Sequence, residues 1–178
     1  MKNVLYILRL SVTLLVITGL MAAALAGVNK ITAPKIAALK EAKTQEAIQA
    51  VLPGGGQELA VPAGNPLVSA LYGSETGYAV EVTPAGFDNT ITMMVGIDLE
   101  GKVLGISIIS HTETAGLGAV AAAKTSAGDA FRGQFAGLTE AAVTKDGGQV
   151  DAITGATITS RAVCDGVNAA LDCVKDLK

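Results

Sequence analysis

The chain has no tryptophan, one histidine and two cysteines, and aromatic residues make up only 3% of it. A lone His111 excludes a multi-histidine metal centre, and no cysteine spacing fits a zinc site. With so few aromatics the core must be built from Val, Ile, Leu, Ala and Met. Positive charge is also scarce: 13 Lys and Arg stand against 16 Asp and Glu, a formal charge of −3. No basic cluster offers a surface for nucleic acid, so no nucleic-acid partner is expected. There is no internal repeat, and no G-x-G-x-x-G run leads from a strand into a helix, which excludes a dinucleotide fingerprint. Cys164 and Cys173 lie nine positions apart in a segment with helical periodicity. That spacing puts them about 13 Å apart on roughly opposite faces, too far for a disulfide. Two buried, inert thiols are expected instead.

Apolar residues, by contrast, are abundant at 50%, and glycines number 21 in 178 residues. Part of the apolar share is one uncharged run of 19 residues, Leu10 to Val28, between Arg9 and Asn29-Lys30. Its length matches a bilayer-spanning helix. Ala24-Leu25-Ala26 resembles a signal-peptidase site, but the run exceeds the usual h-region of about 7–15 residues. A retained anchor is therefore expected. Lys30, Lys35, Lys40 and Lys43 follow the span and outnumber Lys2 and Arg9 before it. By charge count alone, the C-terminal side is placed in the cytoplasm.

Beyond the span, Pro34 to Leu52 reads as a helix with Pro34 near its start, ended by Pro53-Gly54-Gly55-Gly56. Gln57 to Gly77 is turn-rich, with Pro62, Gly64 and Pro66. The period then changes to two. Tyr78 to Thr83 reads as a strand. Ile91, Met93, Val95 and Ile97 share one face of a second, and Leu104, Ile106 and Ile108 one face of a third. Gly101 sits where a hairpin loop needs a left-handed residue, so Thr90 to His111 reads as an antiparallel hairpin. Ala119 to Asp129 and Ala130 to Gln134 look helical or turn-like, and Thr139 to Val143 is ambiguous. From Ser160 onward Val163, Val167, Leu171 and Val174 recur at helical spacing, with Thr159 or Ser160 as N-cap. The fold class is α+β: one N-terminal transmembrane helix, then a small antiparallel sheet packed with helices.

Three segments carry chemistry. Asp151-Ala-Ile-Thr-Gly-Ala-Thr157-Ile-Thr-Ser160 surrounds a Gly155-Ala156 step with hydroxyls just ahead of a helix. Gly155 permits an unusual backbone bend, and the following helix offers free N–H groups and a positive dipole end to a phosphate. Thr154, Thr159 and Ser160 offer further hydroxyls. Taken alone, the segment reads more simply as a Thr/Ser-rich helix cap. His111-Thr-Glu113-Thr114-Ala115-Gly116-Leu117-Gly118 follows the third strand directly. Lys145-Asp146-Gly147-Gly148 leads into Asp151.

In this order, behind a membrane span, the segments resemble the G subunits of the Rnf (Rsx) ion-translocating oxidoreductase, which belong to the FMN-binding domain family. The motif around Thr157 resembles that family's S/T-G-A-T flavin-attachment motif. The loop resembles H-x-E-T-P-G-L-G, with Ala115 in place of proline, and the third segment resembles K-D-G-G. The resemblance is loose over the whole chain and good over Thr90 to Cys173. It implies FMN held by a phosphoester to Thr157. It implies polar flavin contacts from Glu113 and Thr114, an apolar one from Leu117, and close backbone approach at Gly116 and Gly118. Lys145 either pairs with the phosphate or is simply solvated. It also implies an electron relay rather than a complete enzyme, with other subunits of a membrane redox complex and a flavin transferase as partners. The flavin domain would face away from the cytoplasm, against the charge count. The expected division is an anchor over residues 1–30, a juxtamembrane helix and linker over 31–56, and the FMN-binding domain over 57–178. Three other readings stand beside it. The C subunit of the sodium-translocating NADH:quinone reductase shares the attachment motif but is typically longer. The others are a domain holding its flavin non-covalently and a cofactor-free, membrane-anchored assembly module.

Overall fold

The computed structural model describes residues 2–62, 65–175 and 177, so Gly64 of the turn-rich stretch lies outside the described residues. The chain forms two compact units, Met1–Ala42 and Lys43–Lys178. The described residues of the first are all helix. Helix α1 runs Lys2–Val51 without a break, and its apolar stretch is long enough to cross a membrane. Val12, Leu15, Leu20 and Leu25 of that stretch are exposed, as suits a surface solvated by lipid. Thr13, Thr18 and Thr32 turn their hydroxyls back onto carbonyls four residues earlier, at 2.8, 2.9 and 2.9 Å. No polar atom of theirs then needs water. The expected new start at Pro34 is not observed: Pro34 lies inside α1. Proline removes a single N–H from the ladder, and no other breaker stands nearby.

The second unit is built on a five-stranded antiparallel meander in the order β1-β2-β3-β4-β5. The strands are β1 Gln57–Leu59, β2 Val68–Ser74, β3 Gly77–Val82, β4 Thr92–Asp98 and β5 Val103–Ser110. The hairpin expected over Thr90 to His111 is β4–β5. The first two strands fall in the stretch read as turns. β1 is wholly exposed, and β2 buries only Leu71 outright, so neither has a clean apolar alternation to reveal it.

The sheet is buried on both faces. Val80, Val82, Met93, Val95 and Ile97 meet Val163, Val167, Ala170 and Val174 of α3, which spans Thr157–Lys175. Ala79, Met94 and Ile109 meet Ala47, Ile48, Val51 and Leu52 at the end of α1. The approach there is close: a Cβ on Gly96 would fall 2.3 Å from the Val51 carbonyl oxygen. Leu104 does not share a core face with Ile106 and Ile108 as expected. The β4–β5 register slips between Gly96 and Ile97 and again between Thr92 and Met93. The slip at Gly96 turns Leu104 outward, where it is exposed, while Ile109 alternates with Ile108 and faces the α1 side.

Between β5 and α3 run a 3-10 turn, Gly118–Ala122, and helix α2, Ser126–Gly133. Thr125 caps α2, accepting from the Gly128 N–H at 3.3 Å. Phe131 and Phe135 pack edge to face at 5.4 Å. The ambiguous Thr139 to Val143 yields only a parallel bridge, Val143 to Val150. Both cysteines are buried in α3, and burial pushes the Cys164 thiol up to about 12.

Candidate functional site

The bend before α3 is fixed by its own backbone. Gly155 takes φ +78°, and the Ala156 N–H donates to the Ile153 carbonyl at 2.9 Å. Gln134 grips Asp151, accepting from its N–H at 2.7 Å and donating to its carbonyl at 3.3 Å. The helix therefore starts at Thr157, earlier than expected, and neither Thr159 nor Ser160 is its cap. Both lie in the first turn and are buried. The Ser160 hydroxyl accepts from the Ile153 N–H and donates to the Ala156 carbonyl, each at 3.0 Å. The N–H groups of Thr157, Ile158 and Thr159 precede the first i→i−4 bond, from Ser160 to Ala156, and so point out of the helix end.

The loop after β5 lies against this turn. Glu113 is 7% exposed. One carboxylate oxygen accepts from the N–H groups of Phe87 and Asp88 at 2.8 and 3.3 Å, and the other from the Thr159 hydroxyl at 2.5 Å. The absence of a side chain at Gly118 makes this bond fit. A Cβ there would stand 2.4 Å from the Glu113 carboxylate and 2.5 Å from the Thr159 hydroxyl. Leu117 lies over Gly155, its Cδ2 being 3.0 Å from where a Cβ would be.

The third segment is a 3-10 turn, Thr144–Asp146, closed by Gly147 at φ +86°. Arg161, one helical turn beyond Thr157, grips Asp146 with two parallel bonds of 2.6 and 2.7 Å. Hydrogen bonding from that guanidinium holds the Asp146 carboxyl below its ordinary value. The turn so held carries Lys145, whose ammonium donates to the Thr157 hydroxyl at 3.3 Å.

The three segments enclose a cavity of about 310 Å³, at the small end of the range for ligand pockets. Glu113, Thr114, Leu117, Gly118, Lys145, Gly155, Ala156, Thr157 and Thr159 line it. Thr154 and Gly116 line a separate hollow of about 390 Å³ instead, and Ser160 is fully buried. Two further lining residues, Phe87 and Ile158, escaped the sequence reading. Ile158 lies inside the Asp151–Ser160 segment, yet apolar residues in a helix are assigned to the core by default. Phe87 sits in a Pro-Ala-Gly-Phe-Asp-Asn turn far from every motif, and its only sequence signal is the rarity of aromatics. Among the described residues no group of three His, Cys, Asp or Glu side chains is placed to hold a metal ion.

The family model for an FMN-binding domain matches residues 86–172, which include every residue of this cavity. Over nearly its whole length the chain is similar to the G subunit of the ion-translocating oxidoreductase complex of Methanosarcina acetivorans. Identity is 35%, over 94% of each chain. It is 32% identical to the G subunit of the Na(+)-translocating ferredoxin:NAD(+) oxidoreductase complex of Acetobacterium woodii, over 96% of this chain and 93% of the relative. It is 37% identical to the G subunit of the proton-translocating ferredoxin:NAD(+) oxidoreductase complex of Clostridium ljungdahlii, over 83% of this chain and 80% of the relative. With a flavin-domain match over the cavity and full-length similarity of this order, the chain belongs to the family of G subunits of ion-translocating oxidoreductase complexes.

Proposed function

We propose that this chain is an electron-transfer subunit carrying FMN joined by a phosphoester to Thr157, within a membrane ion-translocating ferredoxin:NAD oxidoreductase complex. The observation that carries the reading is the Lys145 ammonium at 3.3 Å from the half-buried Thr157 hydroxyl, at the mouth of a helix and beside a cavity. A hydroxyl, a fixed cation and three outward N–H groups are the donor set a phosphate monoester needs. The residues present therefore fit the group.

When bound, a flavin supplies one- and two-electron transfer, and the protein supplies position and electrostatics. Thr157 would be the tether, its Oγ1 the bridging oxygen of the ester. Lys145 would balance the phosphate charge, and the Arg161–Asp146 pair holds the turn that carries Lys145 beside the hydroxyl. Thr114, Leu117, Gly118 and Ala156 form the walls against which a ring would lie. Tethering keeps the cofactor on a domain that faces away from the cytoplasm, where free FMN is scarce.

The proposal extends to architecture and partners. Residues 1–30 act as a single-pass anchor, 31–56 connect, and 57–178 form the flavin domain on the extracytoplasmic side. A flavin transferase matures the protein, and the other complex subunits donate and accept electrons. The family placement and the apolar exposed helix support this. Intact mass tests the core of it. The chain made together with a flavin transferase should gain the mass of FMN minus water, and Thr157→Ala should lose both that increment and in-gel flavin fluorescence. A wild-type chain of unmodified mass would overturn the reading.

A further inference from the structure

The Pro84–Thr90 loop holds an apolar side chain outside the core. Phe87 is 66% exposed, whereas the other two phenylalanines, Phe131 and Phe135, are 4% and 0% exposed. The loop is not loose. Ala85 and Thr90 pair as a bridge, Gly86 N–H donates to the Asn89 carbonyl at 2.8 Å, and Phe87 and Asp88 both donate to Glu113. Leu117 and Ile158, 42% and 51% exposed, line the same cavity as Phe87, so Phe87 belongs to a contiguous exposed apolar patch of the kind that marks a contact surface. Here the ring lines the same cavity as Thr157.

The second observation concerns Glu113. Its carboxylate is buried and already accepts three hydrogen bonds, two from the Phe87 loop and one from Thr159 in the first turn of α3. Gly86 leaves room for it, since a Cβ there would stand 2.3 Å from the carboxylate oxygen. The same carboxylate thus joins the loop bearing Phe87 to the helical turn bearing Thr157.

We infer that Phe87 covers the flavin ring and that Glu113 is the positioning residue that sets Phe87 relative to the tether. The inference rests on the flavin reading above and names what shields the ring within that site. Both oxygens of Glu113 act on the scaffold, so its charge is not required. Glutamine supplies the same geometry: its carbonyl accepts from Phe87 and Asp88, and its amide donates to the Thr159 oxygen, whose proton rotates away.

The test is iodide quenching of flavin fluorescence in the full-length, flavin-loaded chain, with intact mass taken first. A Phe side chain covers on the order of 150–250 Å², so Phe87→Ala should raise the quenching constant about twofold or more, and Phe87→Tyr should restore it. Glu113→Ala should raise it as Phe87→Ala does, and Glu113→Gln should bring it back. Quenching unchanged in Phe87→Ala overturns the cover. A Glu113→Gln chain that behaves as Glu113→Ala overturns the positioning role and assigns the effect to charge. If Glu113→Ala does not fold, Phe87→Ala and Glu113→Gln decide the matter between them. A wild-type chain without the flavin mass overturns the underlying reading instead, before any variant is compared.

Discussion

Replacing Gly118 by alanine tests the packing of the site with a single methyl group. Gly118 is buried at the start of the 3-10 turn, and its backbone is not left-handed, so alanine meets no dihedral penalty. The cost is steric. The new Cβ would lie 2.4 Å from the Glu113 carboxylate, 2.5 Å from the Thr159 hydroxyl and 3.0 Å from the Glu113 Cβ. These neighbours cannot give way independently, because the first two are bonded to each other. Relief therefore requires losing a hydrogen bond to a charged group, worth about 1.5–3 kcal/mol, or accepting an overpacking cost of about 1–3 kcal/mol. The cheaper escape sets the cost, so roughly 1–3 kcal/mol is expected, a sizeable share of the roughly 5–15 kcal/mol that holds a domain together.

The assay is unfolding of the full chain in detergent, followed by circular dichroism, with Gly133→Ala as the control. Gly133 ends α2, and a Cβ there has nothing within 4 Å, so that variant should be as stable as the parent or slightly more so. The mechanism also requires non-additivity. Glu113→Ala removes the carboxylate that the new methyl would strike. In that background the added cost of Gly118→Ala should fall by at least about 1 kcal/mol. Gly118→Ala as stable as Gly133→Ala, or strict additivity with Glu113→Ala, would refute the reasoning.

Three other perturbations probe the parts around the site. Gly96→Ala would place a Cβ 2.3 Å from the Val51 carbonyl oxygen and should cost about 1–3 kcal/mol, while raising amide exchange at the end of α1. Protected amides there would contradict the close packing. Asp146 has a lowered folded-state value because Arg161 hydrogen-bonds its carboxylate. Its contribution is therefore present above the ordinary carboxylate range, near about 3.9, and is lost as pH falls through the depressed value. The stability gap between the parent and Asp146→Asn should close in acid, and a gap constant with pH would count against the pair. Cys164 keeps its proton to about 12, against an ordinary 9.0, because of burial. Its contribution is whole below about pH 9 and is lost between there and about 12 as the unfolded thiol ionises. Cys164→Ala should lack that alkaline slope, and native Cys164 should resist alkylation at pH 8.

The parts legible in the sequence were those whose signal is local. The β4–β5 hairpin shows in the alternation of Met93, Val95 and Ile97 with its glycine turn, and α3 in the spacing of Val163, Val167, Leu171 and Val174. The Thr154–Thr157 motif and its two companion segments are readable as words, and the structure gathers nine of the twelve named residues around one cavity. What was hidden depends on distance along the chain or on a change of register. Leu104 looks like a core residue until a bulge turns it out. The start of α3 was misplaced because the bend at Gly155, and not a hydroxyl cap, sets it. Glu113 reads as a ligand because its amide partners lie 26 and 25 residues upstream and its hydroxyl partner 46 downstream. Phe87 has no motif at all. It becomes visible only once Glu113 is seen to hold its backbone.

The first five residues of α3 explain why three scattered segments make one site. Successive helical residues point about 100° apart, and four of these five meet different neighbours. Thr157 and Arg161, four residues apart and so on one face, reach Lys145 and Asp146 of the 144–146 turn. Thr159 reaches Glu113 and through it the Phe87 loop. Ser160 reaches back to Ile153 and Ala156 and fixes the bend that starts the helix. The hydroxyls that looked interchangeable in the sequence are therefore divided by helical geometry. Thr159 and Ser160 are spent on the scaffold, and Thr157 remains half-buried at the cavity. The proposed tether at Thr157 agrees with this division: of the three hydroxyls in the first turn, only that of Thr157 bonds a cation, Lys145, while those of Thr159 and Ser160 bond a carboxylate and the backbone.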